Sequence, residues 1–286
     1  MTDAAVTVVL QTPLATVRDV CCAGRGVHPH AAAEIAHPRL EFPYRGVHVR
    51  QLPAAGAGDA FEDVVADASQ VLFVNAGVTG GVRHPVPGGD GSLRVQVAAD
   101  LLAELVPAEL LRADPGDGVL QFRQPRLRID ARAQVLVALL RHSLIEGVAE
   151  PLEAESLALT LVRRALGPRT AHAPGASQGR QRLVDRTKLV LLSDLSRRWS
   201  LAGIAAEVGV SPVYLTQVFQ QVEGLPLYRY QLRLRLARAL DLLAEVEDLS
   251  ALSLDLGFSS HSHFSAAFQQ AYGRSPTAFR HAALQR

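Results

Sequence analysis

Lysine is nearly absent from this chain: of its 29 basic residues only Lys188 is a lysine, and that bias carries no functional reading. Cysteine, methionine and tryptophan are also scarce, at two, one and one. The two cysteines, Cys21 and Cys22, are sequence neighbours, which rarely bridge each other. That excludes a disulfide framework and points to a reducing compartment. The N-terminus shows no basic region followed by an apolar core, and no uninterrupted apolar run approaches the ~18 residues of a membrane span. The expectation is a cytoplasmic protein with no membrane partner. No nucleophile–base pair, phosphate loop or dinucleotide fingerprint is legible either, so the chain does not read as an enzyme.

What is present is a soluble, globular composition, 48% apolar and 20% charged, in 286 residues. That length allows two domains with separate cores. The net charge of +1 averages two unlike parts. From Arg182 onward there are 12 basic against 9 acidic residues, and before it 17 against 19. The C-terminal part is the one suited to phosphates, although its excess is modest.

The first third reads as strands. Ala15–Cys22, Arg39–Leu52, Gln70–Asn75 and Ser92–Ala98 are β-favouring runs between turn-rich segments. Val47 and Val49, then Val71 and Phe73, alternate as a half-buried sheet requires, in a small barrel or sandwich. From about Asp130 the period becomes helical, with Val135, Leu136, Leu139, Leu140 and Leu144. After Gly147–Pro151 it resumes with Leu157, Leu161, Val162 and Leu166. Such a pair packs on the sheet or dimerises. Residues 167–181, rich in Gly, Pro, Ala and Ser, read as a linker between an effector-binding and dimerisation domain (1–166) and a helical domain (182–286).

In the helical part, Ser200 caps a helix whose Leu201, Ile204, Ala205 and Val208 form one face. Gly209 supplies a turn, Ser211 caps the next helix, and Pro212 opens it. The second helix buries Leu215, Val218 and Phe219. This is the pattern of a helix-turn-helix, whose second helix can enter the major groove of double-stranded DNA. The pattern recurs from Ser250 to Tyr272 with a Gly257 turn, a Ser260 cap and Phe264, Ala267 and Phe268. Leu215 to Phe264 and Phe219 to Phe268 share an offset of 49 residues. Between the units, Pro226–Glu247 reads as one helix of roughly 33 Å, enough to set two readers about one DNA turn apart.

These residues resemble the AraC/XylS transcription regulators. The stretch LGFSSHSHFSAAFQQAYGRSPTAFR carries the signature at Gly257, Phe258, His263, Phe264, Phe268, Gly273, Pro276 and Arg280. The first unit agrees at Ala205, Gly209, Ser211, Leu215, Phe219, Gly224 and Pro226. The resemblance implies that Val213, Thr216, Gln217 and Gln220 face DNA from the first recognition helix. From the second it implies His261, Ser262, Ser265 and Ala266. Gln can pair with adenine, and Ser or Thr with phosphate or base. Arg229 and Arg233 meet a phosphate or pair with an acid. Where members of the family commonly carry arginine, this chain has Gln217 and Ala266, and uncharged Gln269, Gln270 and Ala271 follow the second helix. Each lost guanine contact removes about 1–3 kcal/mol of discrimination, which implies weak binding per subunit and a homodimer.

The blocks FPYRGVHVR, VLFVNAG and RHPVPGGD resemble the effector domain of a subset of these regulators, a cupin-like β-barrel followed by helices. The resemblance thus implies an α+β chain that answers to a small-molecule effector and contacts RNA polymerase. His28, His30 and Glu34 have the His-x-His-x3-Glu spacing of cupin metal sites, and His84 is a further nitrogen. Gly24, Gly26, Pro29 and Pro38 bracket this segment and argue for loop histidines without a metal. Cys21 and Cys22 leave a thiolate site open. The alternatives to a regulator are a cupin enzyme fused to a DNA module, or an interaction protein without a small ligand.

Overall fold

The computed structural model describes residues 4–24, 37–53, 61–78, 81–113, 118–167 and 177–284. The chain divides into two compact units, residues 1–170 and 171–285.

The first unit is built on antiparallel strands: β1 (Ala4–Gln11), β2 (Ala15–Cys22), β3 (Arg39–Arg45), β4 (His48–Pro53), β5 (Phe61–Ala66), β6 (Gln70–Val74), β7 (Val82–Arg83) and β8 (Asp90–Val97). The short β9 (Leu111–Ala113), β10 (Leu120–Phe122) and β11 (Arg126–Arg128) follow. Helix α1 (Ala99–Leu105) comes after β8, and α2 (Ala131–Ile145) and α3 (Pro151–Ala165) close the unit. The larger sheet has the order β1-β2-β8-β3-β6-β11, and the smaller has β5-β4-β7. Among the described residues the expected barrel does not close: two antiparallel sheets lie face to face, with β1 and β11 as the edges of the larger one.

Alternation along the strands divides the larger sheet into two faces. Val17, Leu40, Phe42, Val71, Phe73, Leu93 and Val95 face the helices and pack on Ala133, Val137 and Leu140 of α2 and on Ala154, Ala158, Leu161 and Val162 of α3. The helix pair therefore covers this sheet, as its periodicity allowed. The apolar stripe of α2 runs through Ala133, Val137 and Leu140. Val135 and Leu139, expected on it, are only partly buried. On the opposite face, Leu72 and Val74 meet Leu52, Val64 and Ala66 of the smaller sheet.

The second unit is all α: α4 (Gln178–Ser193), α5 (Leu201–Val208), α6 (Pro212–Glu223), α7 (Leu227–Leu242), α8 (Leu249–Asp255), α9 (His261–Tyr272) and α10 (Pro276–Leu284). Helix α4 takes in residues 178–181 of the segment read as a linker. The helix between the two helix-turn-helix elements, α7, corrects the sequence reading. It spans 16 residues, Leu227–Leu242, and so about 24 Å rather than 33. No single described helix is long and apolar enough to cross a membrane.

Candidate nucleic-acid interface

Each helix-turn-helix is set by local chemistry. The Ser200 hydroxyl accepts from the Gly203 amide at 3.0 Å, and the Ser211 hydroxyl from the Tyr214 amide at 3.3 Å. Both satisfy helix N-H groups that would otherwise be orphaned. Between them Gly209 takes φ 72°, and α5 and α6 meet at 87°. In the second unit the first cap is Asp248, not Ser250: its carboxylate accepts from the Ser250 and Ala251 amides at 2.8 and 3.1 Å. Ser260 caps α9 as expected, accepting from His263 N at 3.2 Å.

The buried faces hold the recognition helices in place. Leu215, Val218 and Phe219 anchor α6, and Phe264 and Phe268 anchor α9. Burial of this kind stabilises by about 3–5 kcal/mol per phenylalanine. The outward faces are then fixed by the helical period. On α6, Val213, Gln217 and Gln220 are exposed and Thr216 is half-buried, its hydroxyl donating to the Pro212 carbonyl at 3.0 Å. On α9, His261, Ser262 and Ala266 are exposed; Ser265 is half-buried, 3.4 Å from His261 Nε2. Arg229 and Arg233 are exposed on α7, and the Arg229 Nε donates to the Tyr228 hydroxyl at 3.0 Å.

Two scaffolding features escaped the sequence reading. Lys188 of α4 is fully buried, 2.7 Å from Glu223 at the end of α6 and 5.3 Å from the centre of the Tyr230 ring on α7. Arg235 of α7 donates to the carbonyls of Leu195, Arg197 and Gly257 at 2.8, 2.9 and 2.9 Å. It thereby ties the approach to the first unit to the turn of the second. Gly257 is required here. Its φ is 79°, and a Cβ would lie 2.3 Å from the Ser196 carbonyl oxygen. Arg280 donates to the carbonyls of Val246 and Glu247 at 3.2 and 2.9 Å.

Residues 204–282 match the family model described as a helix-turn-helix domain. A probable transcriptional regulator of Photobacterium leiognathi, LumQ, is 30% identical over 171 residues, 57% of this chain and 65% of LumQ. An uncharacterised helix-turn-helix regulator of Escherichia coli, YidL, is 31% identical over 108 residues, 37% of this chain and 36% of its own length. The chain thus spans less than two-thirds of the length of these relatives. Among solved structures, an AraC-type regulator from Chromobacterium violaceum is 30% identical, with 38% of this chain covering 98% of that one, at a TM-score of 0.36. Residues 204–282 thus carry a helix-turn-helix domain similar to those of transcription regulators.

Within residues 1–170 a second polar cluster lies between the two sheets. Cross-strand partners share a face, so the registered pairs Cys22–Asp90 and Glu41–Arg94 both point toward the smaller sheet. From that sheet Arg50 reaches Glu41 at 3.3 Å, and Arg94 lies 3.0 Å from the same carboxylate. Burial alone would raise the Glu41 pKa, but Arg50, Arg94 and Arg39 hold it well below the usual range. Asp90 sits 3.0 Å from His48 Nδ1 and 2.6 Å from His84 Nδ1. Burial alone would raise its pKa, but the two neighbouring imidazoles hold it well below the usual carboxylate range. Gly89 makes the approach possible. Its φ is 75°, and a Cβ there would lie 2.2 Å from the Cys22 carbonyl oxygen. Of the metal set expected from spacing, His28, His30 and Glu34 lie outside the described residues, and His84 is buried in this cluster.

Proposed function

We propose that the protein is a sequence-specific DNA-binding transcription regulator that acts in the cytoplasm. One observation carries the reading: a single helical unit holds two capped helix-turn-helix elements, each presenting a polar row on its second helix. Thr216, Gln217 and Gln220 with Val213 form the first reading surface. His261, Ser262 and Ser265 with Ala266 form the second, and Arg229 and Arg233 meet phosphates from α7. The arginine-poor reading helices support weak binding per subunit, so a homodimer or two bound copies would give tight occupancy. The N-terminal unit would take the effector between its sheets, where buried arginines face a polar interior, and RNA polymerase would be the downstream partner.

The test combines genome-wide mapping of bound DNA with a mobility-shift comparison of one mapped site against two. Cooperative shifting on two sites supports the reading. Tight binding of a lone monomer to one site overturns the dimer requirement, and absence of any sequence-selective shift overturns the regulator itself.

A further inference from the structure

The inter-sheet cluster holds three metal-ligating side chains of different chemistry. Cys22, His84 and Asp90 are all buried, and one ligand atom from each lies within 4.8 Å of the others. Two independent features bring them together. Cys22 and Asp90 are directly opposed on the paired strands β2 and β8. His84, the residue after β7, comes from the side of the facing sheet. His48, also from the facing sheet, holds the second oxygen of Asp90 at 3.0 Å. We propose that Cys22, His84 and Asp90 bind a divalent zinc-like ion, with His48 orienting the carboxylate.

The donor set selects the metal. One thiolate, one imidazole and one carboxylate make a borderline site that suits zinc, whereas magnesium and calcium call for oxygen ligands throughout. Ligand bonds of about 2.0–2.3 Å to a tetrahedral ion set the ligand atoms about 3.3–3.8 Å apart, so the most distant of the three donor atoms close in while His84 Nδ1 and the Asp90 oxygen, 2.6 Å apart, separate slightly. Three protein ligands leave a fourth position for water or an exogenous donor. Binding displaces the Cys22 thiol proton, and the proton on His84 Nδ1 moves to Nε2 or to solvent as the His84–Asp90 contact gives way to two metal bonds. The ion then links the two sheets. The site differs from the one that spacing suggested, sharing only His84 with the set of His28, His30 and Glu34. It also stands apart from the DNA-binding reading, because its test needs no DNA.

The experiment uses the full-length protein, stripped of metal and titrated with zinc and, separately, with cobalt(II). The expected result is one ion per chain and, for cobalt, a thiolate-to-metal charge-transfer band. Cys22→Ser should abolish the band while Cys21→Ala keeps it. His84→Ala and Asp90→Asn should lose stoichiometric zinc. His48→Ala should weaken binding about 10–100-fold, as loss of a supporting hydrogen bond does. The pair His28→Ala/His30→Ala should bind as the parent does. Failure of the unaltered protein to bind zinc at one per chain overturns the proposal without relying on any variant fold. So does a cobalt spectrum without a thiolate band, a band that survives Cys22→Ser, or loss of metal in the His28/His30 variant.

Discussion

The buried Lys188–Glu223 pair makes a sharp quantitative test of what holds the first recognition helix in place. Both side chains are essentially inaccessible, 1% and 0% exposed, and their charged atoms are 2.7 Å apart. Removing one partner leaves the other as a buried charge, which costs about 3–5 kcal/mol. Replacing both with apolar side chains of similar volume removes the desolvation penalty together with the attraction, and is commonly neutral or stabilising. Lys188→Met and Glu223→Leu singly should therefore each destabilise the helical unit by about 3–5 kcal/mol, while the double variant should recover most of the loss. Trp199, the chain's single tryptophan, lies in this unit and gives a fluorescence signal for its urea unfolding. With a slope of about 1–3 kcal/mol per molar urea, the single variants should unfold at midpoints lower by at least about 1 M. If both single variants stay within about 1 kcal/mol of the parent, or the double is no better than the worse single, the pair does not anchor α6 as argued.

The two turn glycines should respond differently to alanine. Gly257→Ala meets the Ser196 carbonyl and should lower the urea midpoint well beyond Gly209→Ala, which has a similar φ but open space around it. Equal effects would show that φ alone matters. On a mapped operator, Gln217→Ala should lose about 1–3 kcal/mol of discrimination against a mismatched base at one position if it pairs bidentately with adenine. A uniform loss across sequences would refute that role. Arg233→Ala should reduce the slope of log K against log salt by about 0.9 if it neutralises one phosphate, a change that parallel titrations at several salt concentrations would detect. Glu41 gives a pH test. Its folded pKa lies below the unfolded value, so the stability it contributes is complete above about pH 4.3 and is lost as pH falls. Glu41→Gln should flatten the acid limb of stability against pH, measured by circular dichroism; an unchanged limb would refute this.

The legible parts of the fold were those encoded within a few residues. Strand β2 falls on the run Ala15–Cys22, and Ser200, Ser211 and Ser260 cap the helices assigned to them. β1 was missed although Val6, Val8 and Leu10 alternate. As an edge strand it leaves Val6 and Val8 exposed, so its pattern lacks a fully buried face. Helix α3 depends on Ala154, Ala158 and Ala165, all fully buried, whose small size marks close packing but barely registers as hydrophobic periodicity. Cys22 was read only as one of two cysteines that left a thiolate site open, and His48 and Asp90 were hidden for a different reason. Their shared face follows from strand pairing across long separations, and only the 'GGD' run with its close-packed Gly89 hinted at a tight approach.

The shortened linker helix shows how tertiary contacts override a local pattern. Leucines at helical spacing carry the sequence reading through to Glu247, yet α7 stops at Leu242. Two demands meet in the next residues. Asp248 must leave the helical conformation so that its carboxylate can cap α8, and it sits at φ −88°, ψ 98°. Arg280, far along the chain, takes the Val246 and Glu247 carbonyls, acceptors that a continuing helix would use for its own amides. A cap and a distant guanidinium thus end the helix where periodicity does not. Because Arg235 ties the same helix to the turn at Gly257, the separation of the two reading helices is set by these side chains as well as by helix length. The same chemistry makes Arg280 part of the scaffold: its guanidinium is engaged by backbone within the unit, which separates it from Arg233, exposed on α7 and directed outward.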